Sequence, residues 1–197
     1  TSLAINKGDL LMTAIVGIAG SLRRNSINLG LLKAAAATAP PGVRFDVRTI
    51  DGIPLYNADV EAADGLPPAV AALKDAIAAA DGVILSTPEY NNGVPGVFKN
   101  AIDWASRPAD DIGRVFGGKP VALIGASPGG FGTILAQDAW LAVLRTLGMR
   151  PWFEGRMLVS RAGALFDADG ALTDEATRAR LKDFVAGFAG FIEGQSK

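Results

Sequence analysis

The chain has 197 residues, 49% of them hydrophobic, and a formal net charge of −1 at pH 7. That length and composition suit one folded unit with a substantial core, and the near-neutral charge gives no reason to expect a nucleic-acid partner. Cysteine and histidine are both absent, which removes disulfides, thiolate nucleophiles, cysteine zinc sites and the Ser-His-Asp triad. Chemistry here uses very few side chains or is brought in by a cofactor.

The first eleven residues, TSLAINKGDLL, precede Met12, which opens the first strand pattern. They read as a leader ahead of a natural start at Met12, or as an ordinary N-terminal arm. Residues 12–197 read as one domain. Apolar, β-rich runs follow at Ala14–Ala19, Val43–Ile50, Gly82–Thr87 and Val121–Ala126, with a less regular one at Arg150–Val159. Helix-period segments lie between them, near Ser26–Thr38, Pro68–Ala80, Val94–Ala105 and Thr133–Leu147, and a last one covers Asp174–Ile192. Strands alternating with helices predict a parallel sheet covered on both faces. The first, third and fourth runs lack interleaved polar residues, as strands buried on both sides do. Asp51–Pro68 is rich in turn formers and reads as an irregular loop. Leu135–Leu147 is apolar nearly all round, which fits deep burial in the monomer or a contact between subunits. No apolar run reaches the roughly 20 residues of a membrane span, so no membrane partner is expected and the cytoplasm is the expected compartment.

The loops after strands one, three and four are the most unusual segments: GSLRRNSIN (Gly20–Asn28), TPEYNNGVPG (Thr87–Gly96) and SPGGFGT (Ser127–Thr133). They fall at the carboxyl edge of the sheet, where open α/β folds bind ligands. In the first, Ser21, Ser26 and Asn28 offer short polar side chains, Arg23 and Arg24 offer positive charge, and a helix start points free N–H groups at the turn. That set suits a terminal phosphate; the alternative is a plain N-cap at Ser26 with solvated arginines. Neither the Walker A spacing nor the dinucleotide fingerprint is present. In the second, Pro88 and Pro95 stiffen the loop, Gly93 and Gly96 admit a flat ligand, Tyr90 presents a ring, and Asn91 and Asn92 suit a heterocycle edge. Asn and Gly also form turns unaided. The third loop is small apart from Phe131, and fits either a ring lying against backbone or a helix entry capped by Thr133. Arg107 and Arg114 read as solvated cations, or as attractors of an anionic acceptor or of the 2′-phosphate of NADPH.

Taken together, GSLRRNSINLGLL, PEYNNGVPGVFKNAIDWASRP and GASPGGFGT resemble the NAD(P)H-dependent FMN reductase family, which includes bacterial chromate and quinone reductases. The similarity covers roughly residues 13–190 of the chain, as a single globular unit would. The resemblance implies an α/β, flavodoxin-like three-layer sandwich with a five-stranded parallel sheet in order 2-1-3-4-5. It implies bound FMN, with Ser21, Arg23, Ser26 and Asn28 on the phosphate. Pro88, Glu89, Tyr90, Asn91, Asn92 and Gly93 line the isoalloxazine on this reading, and Ser127, Gly129, Gly130 and Phe131 close the other side. The implied activity passes hydride from NAD(P)H by way of FMN to quinones, azo compounds, chromate or free flavin, with ping-pong kinetics, in a homodimer or homotetramer. A flavodoxin-type electron carrier, or a non-redox nucleotide-binding regulator on the same fold, is the competing reading.

Overall fold

Every residue of β1 (Thr13–Ala19) is buried, because the strand runs up the middle of a sheet covered on both faces. The computed structural model describes residues 12–194, so the leader reading of residues 1–11 lies outside the described residues. After β1 come α1 (Ile27–Ala37), β2 (Val43–Thr49), α2 (Ala58–Asp64), α3 (Pro68–Ala79) and β3 (Gly82–Ser86). They are followed by α4 (Gly96–Ala105), a one-turn helix α5 (Ile112–Val115), β4 (Pro120–Ala126) and α6 (Ile134–Thr146). Two short strands, β5 (Arg150–Pro151) and β6 (Met157–Val159), precede the long α7 (Glu175–Gly194). The strands pair in the order β2-β1-β3-β4-β5, all parallel, and β6 pairs with the second half of β4. This is the flavodoxin-like order that the resemblance implies.

The two faces follow from period-two alternation along the strands. Ile15, Ile84 and Ile124 point to one side and pack with Leu31 and Leu32 of α1 and Phe188 of α7. Val16, Ile18 and Leu85 point to the other and meet Ile77 of α3, Phe98 of α4 and Trp140 of α6. Full burial of a side chain such as Phe98 stabilises the fold by about 1.5–3 kcal/mol.

Three expectations change. The run Arg150–Val159 is not one strand: the Arg150 and Trp152 N–H groups donate to Lys119 O and Val121 O of the β4 side, and the chain then leaves the sheet before β6 resumes it. The excursion turns the Trp152 indole onto α7, with ring centroids 5.1 Å from Phe184 and 5.7 Å from Phe188. Secondly, Asp51–Pro68 contains α2, whose start is capped by Asn57 Oδ1 accepting from the Asp59 N–H at 2.9 Å. None of its residues is buried, so it carries no apolar periodicity to read. Thirdly, α6 is not sealed all round: Ala136, Trp140 and Leu144 are buried, while Leu135, Ala139 and Ala142 are exposed.

Candidate active site

Strands β1, β3 and β4 lie side by side, so the loops that follow them emerge together. Pairing persists one residue past each strand. The Gly20 N–H donates to Ser86 O at 2.9 Å, Thr87 N–H to Ile124 O at 2.9 Å, and Ser127 N–H to Val159 O at 3.0 Å. All three loops therefore start from a fixed edge.

The first loop is rich in donors. Ser26 N-caps α1, its Oγ facing the Leu29 N–H at 3.4 Å. Ser21 Oγ accepts from the Arg23 N–H at 3.2 Å, and the Arg23 guanidinium donates to the Asn25 carbonyl at 2.8 Å. Among the described residues, the main-chain N–H groups of Leu22, Arg24, Asn25 and Ser26 have no acceptor. Unpaired N–H groups beside a helix start and two arginines suit a phosphate. Gly20 admits the turn because Phe98 lies directly beneath it: a Cβ there would stand 2.0 Å from Phe98 Cδ1. Asn28 is placed differently from the two serines. It is 3% exposed, its Nδ2 donates to Ala126 O and its Oδ1 accepts from the Ala126 N–H, both at 2.9 Å. The side chain thus ties α1 to the end of β4.

In the second loop Pro88 is buried, Glu89 half-buried, and Tyr90, Asn91 and Asn92 are exposed. Tyr90 and Gly93 exchange main-chain hydrogen bonds of 3.2 and 3.1 Å across the pair of asparagines. Both asparagines sit in the left-handed region, at φ +51° and +61°, as a two-residue turn of the primed type requires. Glu89 Oε2 accepts from the N–H groups of Leu135 at 2.9 Å and Ala136 at 3.0 Å. A carboxylate at a helix N-terminus satisfies orphan donors and complements the dipole. Thr133, the expected cap of α6, has φ +68° and makes no side-chain capping bond; Glu89 supplies the cap from the neighbouring loop.

In the third loop Ser127 is half-buried, while Gly129, Gly130 and Phe131 are exposed, Phe131 at 75%. The chain after β6 steadies it: the Arg161 N–H donates to Gly129 O and the Ala162 N–H to Ser127 O. The residues that sequence reasoning did not single out are Ser86, Thr87 and Trp140. Ser86 Oγ donates to Asn28 O at 2.8 Å, and Trp140 Nε1 donates to Thr87 Oγ1 at 3.0 Å inside the core. Their signal is a pair of hydroxyls closing an otherwise apolar strand. Arg107 and Arg114 are both committed to carboxylates, Glu61 at 2.9 Å and Asp111 at 2.6 Å.

This rim matches FMN in chemistry: a donor-rich turn for a phosphate at one end, and a stiff turn with an exposed tyrosine and small glycines for a flat ring at the other. The sequence profile of the family described as NADPH-dependent FMN reductase matches residues 13–164. An NAD(P)H-dependent FMN reductase of Pseudomonas aeruginosa is 46% identical over 164 residues, 83% of this chain and 86% of its own. A 2-hydroxy-1,4-benzoquinone reductase of a Burkholderia species is 40% identical over 178 residues, 90% of this chain and 95% of its own. The structure of FerB, a flavoenzyme NAD(P)H:(acceptor) oxidoreductase of Paracoccus denitrificans, superposes with a TM-score of 0.80 at 37% identity, covering 92% of this chain and 98% of that one. The chain therefore belongs to the NADPH-dependent FMN reductase family and is an NAD(P)H-dependent flavoprotein oxidoreductase with FMN as its cofactor.

Proposed function

We propose that the protein is a quinone reductase, carrying reducing equivalents from NAD(P)H to small quinones. The observation behind this reading is a rim of three loops held to one another by the buried Asn28 and the half-buried Glu89, with Tyr90, Asn91 and Asn92 exposed on it. The relatives named as benzoquinone and quinone reductases favour the quinone over azo compounds, chromate or free flavin as acceptor. Bound FMN supplies the ring that accepts hydride and gives electrons up, a reaction no protein side chain provides.

The chain's own residues bind, orient and shield. Ser21, Arg23, Ser26 and the N–H groups between them hold the phosphate. Asn28 keeps that loop at the end of β4, and Glu89 keeps the second and third loops in register. Pro88, the main chain of Tyr90–Gly93, and Ser127, Gly129 and Gly130 flank the ring, with Tyr90 and the exposed Phe131 at the mouth. Arg107 and Arg114 are neutralised by their carboxylates and do not draw an anionic acceptor in.

One opening serves donor and acceptor in turn. Initial-velocity lines for NADPH against a benzoquinone are therefore expected to be parallel, and intersecting lines overturn the shared opening. Steady NADPH turnover with a small quinone also separates this enzyme from a flavodoxin-type carrier. We further propose a homodimer or homotetramer built on the exposed side of α6. There Leu135, Leu141, Trp152 and the 70%-exposed Phe153 line a groove of about 460 Å³. Sedimentation as a monomer at micromolar concentration refutes that assembly. Among the described residues no helix is long and apolar enough to cross a membrane. The cytoplasm, with its NAD(P)H supply, is the proposed compartment, and cell fractionation tests it.

A further inference from the structure

We infer that the hairpin Phe166–Leu172 is a positioning element for the first loop, and that Asp167 and Gly170 thereby set the preference for a phosphorylated flavin. The inference rests on the reading of Gly20–Asn28 as the phosphate loop.

The hairpin is rigid by its own bonds. Phe166 and Leu172 form a bridge and are both buried. The Asp167 N–H donates to Ala171 O at 2.9 Å and the Gly170 N–H to Asp167 O at 3.0 Å. Asp167 Oδ1 accepts from the N–H groups of Asp169 at 3.0 Å and Ala171 at 2.9 Å. One carboxylate thus fixes the turn.

This turn is pressed against the first loop. Asn25 Nδ2 donates to Ala168 O at 2.9 Å. Gly170 is buried at φ +82°, and a Cβ there would lie 3.2 Å from the carbonyl carbon and oxygen of Asn25. From the helix side, a Cβ on Gly30 would stand 1.7 Å from Gly170 O. Two glycines therefore face each other so that the turn can seat on the start of α1, a close approach that only glycine permits. The contact reaches the phosphate end directly, because the Asn25 carbonyl held by this seat is the acceptor of the Arg23 guanidinium at 2.8 Å. Arg23 and the open N–H groups of Arg24, Asn25 and Ser26 all hang on the orientation of one peptide segment. The hairpin packs against that segment through Ala168 and Gly170.

The test separates positioning from mere stability by using two flavins that differ only in the phosphate. The full chain is titrated with FMN and with riboflavin by quenching of flavin fluorescence. Wild type is expected to prefer FMN. In Asp167→Ala and in Gly170→Ala, FMN affinity is expected to fall about tenfold, the scale of one weakened charged hydrogen bond, while riboflavin affinity stays the same. Asp167→Asn keeps an oxygen acceptor and is expected to retain the wild-type ratio. If one variant fails to fold, the other carries the test, and riboflavin binding reports that it is folded. Folded variants that keep the wild-type ratio, or that lose both flavins equally, overturn the inference and leave the phosphate loop standing. A wild type that holds the two flavins equally overturns the phosphate loop itself, and the inference with it.

Discussion

Replacing Asn28 by alanine tests whether its side chain frames the site rather than only touching a ligand. The amide spans from α1 to β4 and satisfies both main-chain groups of Ala126, each at 2.9 Å. Ala126 is 2% exposed, so water cannot take over either bond. Two buried hydrogen bonds contribute about 1 kcal/mol net each, and leaving their partners unpaired adds desolvation, giving a loss of about 2–4 kcal/mol. For a chain of this size that lowers Tm by roughly 5–15 °C. The assay is urea unfolding of flavin-free protein, where the midpoint should fall with the slope m unchanged. Asn28→Asp should be no better, because it sets a carboxylate oxygen against the Ala126 carbonyl. A flavin-free Asn28→Ala protein within about 0.5 kcal/mol of wild type refutes the reasoning, since removal of a group that acts only on a ligand does not alter unliganded stability.

Glu89→Ala should lower the stability of flavin-free protein by about 1–2 kcal/mol through the lost cap on α6, and Glu89→Gln should restore part of it; equal midpoints for wild type and alanine variant refute the cap. Acid stability is set by carboxylates held below their ordinary range. The Arg107 guanidinium lowers Glu61 from 4.5, Arg114 and then Lys74 lower Asp111 well below 3.8, and Thr177 lowers Asp174. Each folded-state pKa lies under its unfolded one, so the stability they add is complete above the ordinary carboxylate range, begins to be lost as pH falls into it, and is gone once pH has fallen through the lowered folded-state values. Thermal melts should be level from neutral pH to just above 4.5, then drop. Melts that stay level down to pH 3 count against it, and Glu61→Gln should blunt the drop.

The sheet was legible because β1, β3 and β4 are unbroken apolar runs that cannot be half-exposed strands. The loops that matter were legible because each breaks such a run abruptly at its carboxyl end. What each polar residue does there was harder to read. Asn28 is bonded to a residue 98 positions away, and Glu89 caps a helix 46 positions away. Local sequence carries no trace of such partners. The Asn91-Asn92-Gly93 run announced a turn through its tolerance for positive φ, and the turn formed. Helix α2 escaped because it buries nothing and is held by hydrogen bonds rather than by an apolar stripe; the neighbouring loop is strapped to α4 through Asn100 and Trp104, both donating to Pro54 O. The break between β5 and β6 was harder to read, because Trp152 still pairs toward β4 after Pro151 and the excursion before Met157 spans only a few residues.

That broken strand also governs how the molecule behaves in a crowd. A sheet's last strand normally offers a row of unpaired amides to any extended chain that drifts past. Here that side amounts to two residues, an excursion and then three more, too short and too bent to template a neighbour. The opposite border, β2, carries Arg44, Asp46 and Arg48 along its length, and the last two form an ion pair at 2.7 Å. An approaching strand would have to strip water from those charges before it could zip on. Both borders of the sheet thus resist edge-to-edge pairing with a neighbouring chain, although the interior between them is rich in aliphatic side chains.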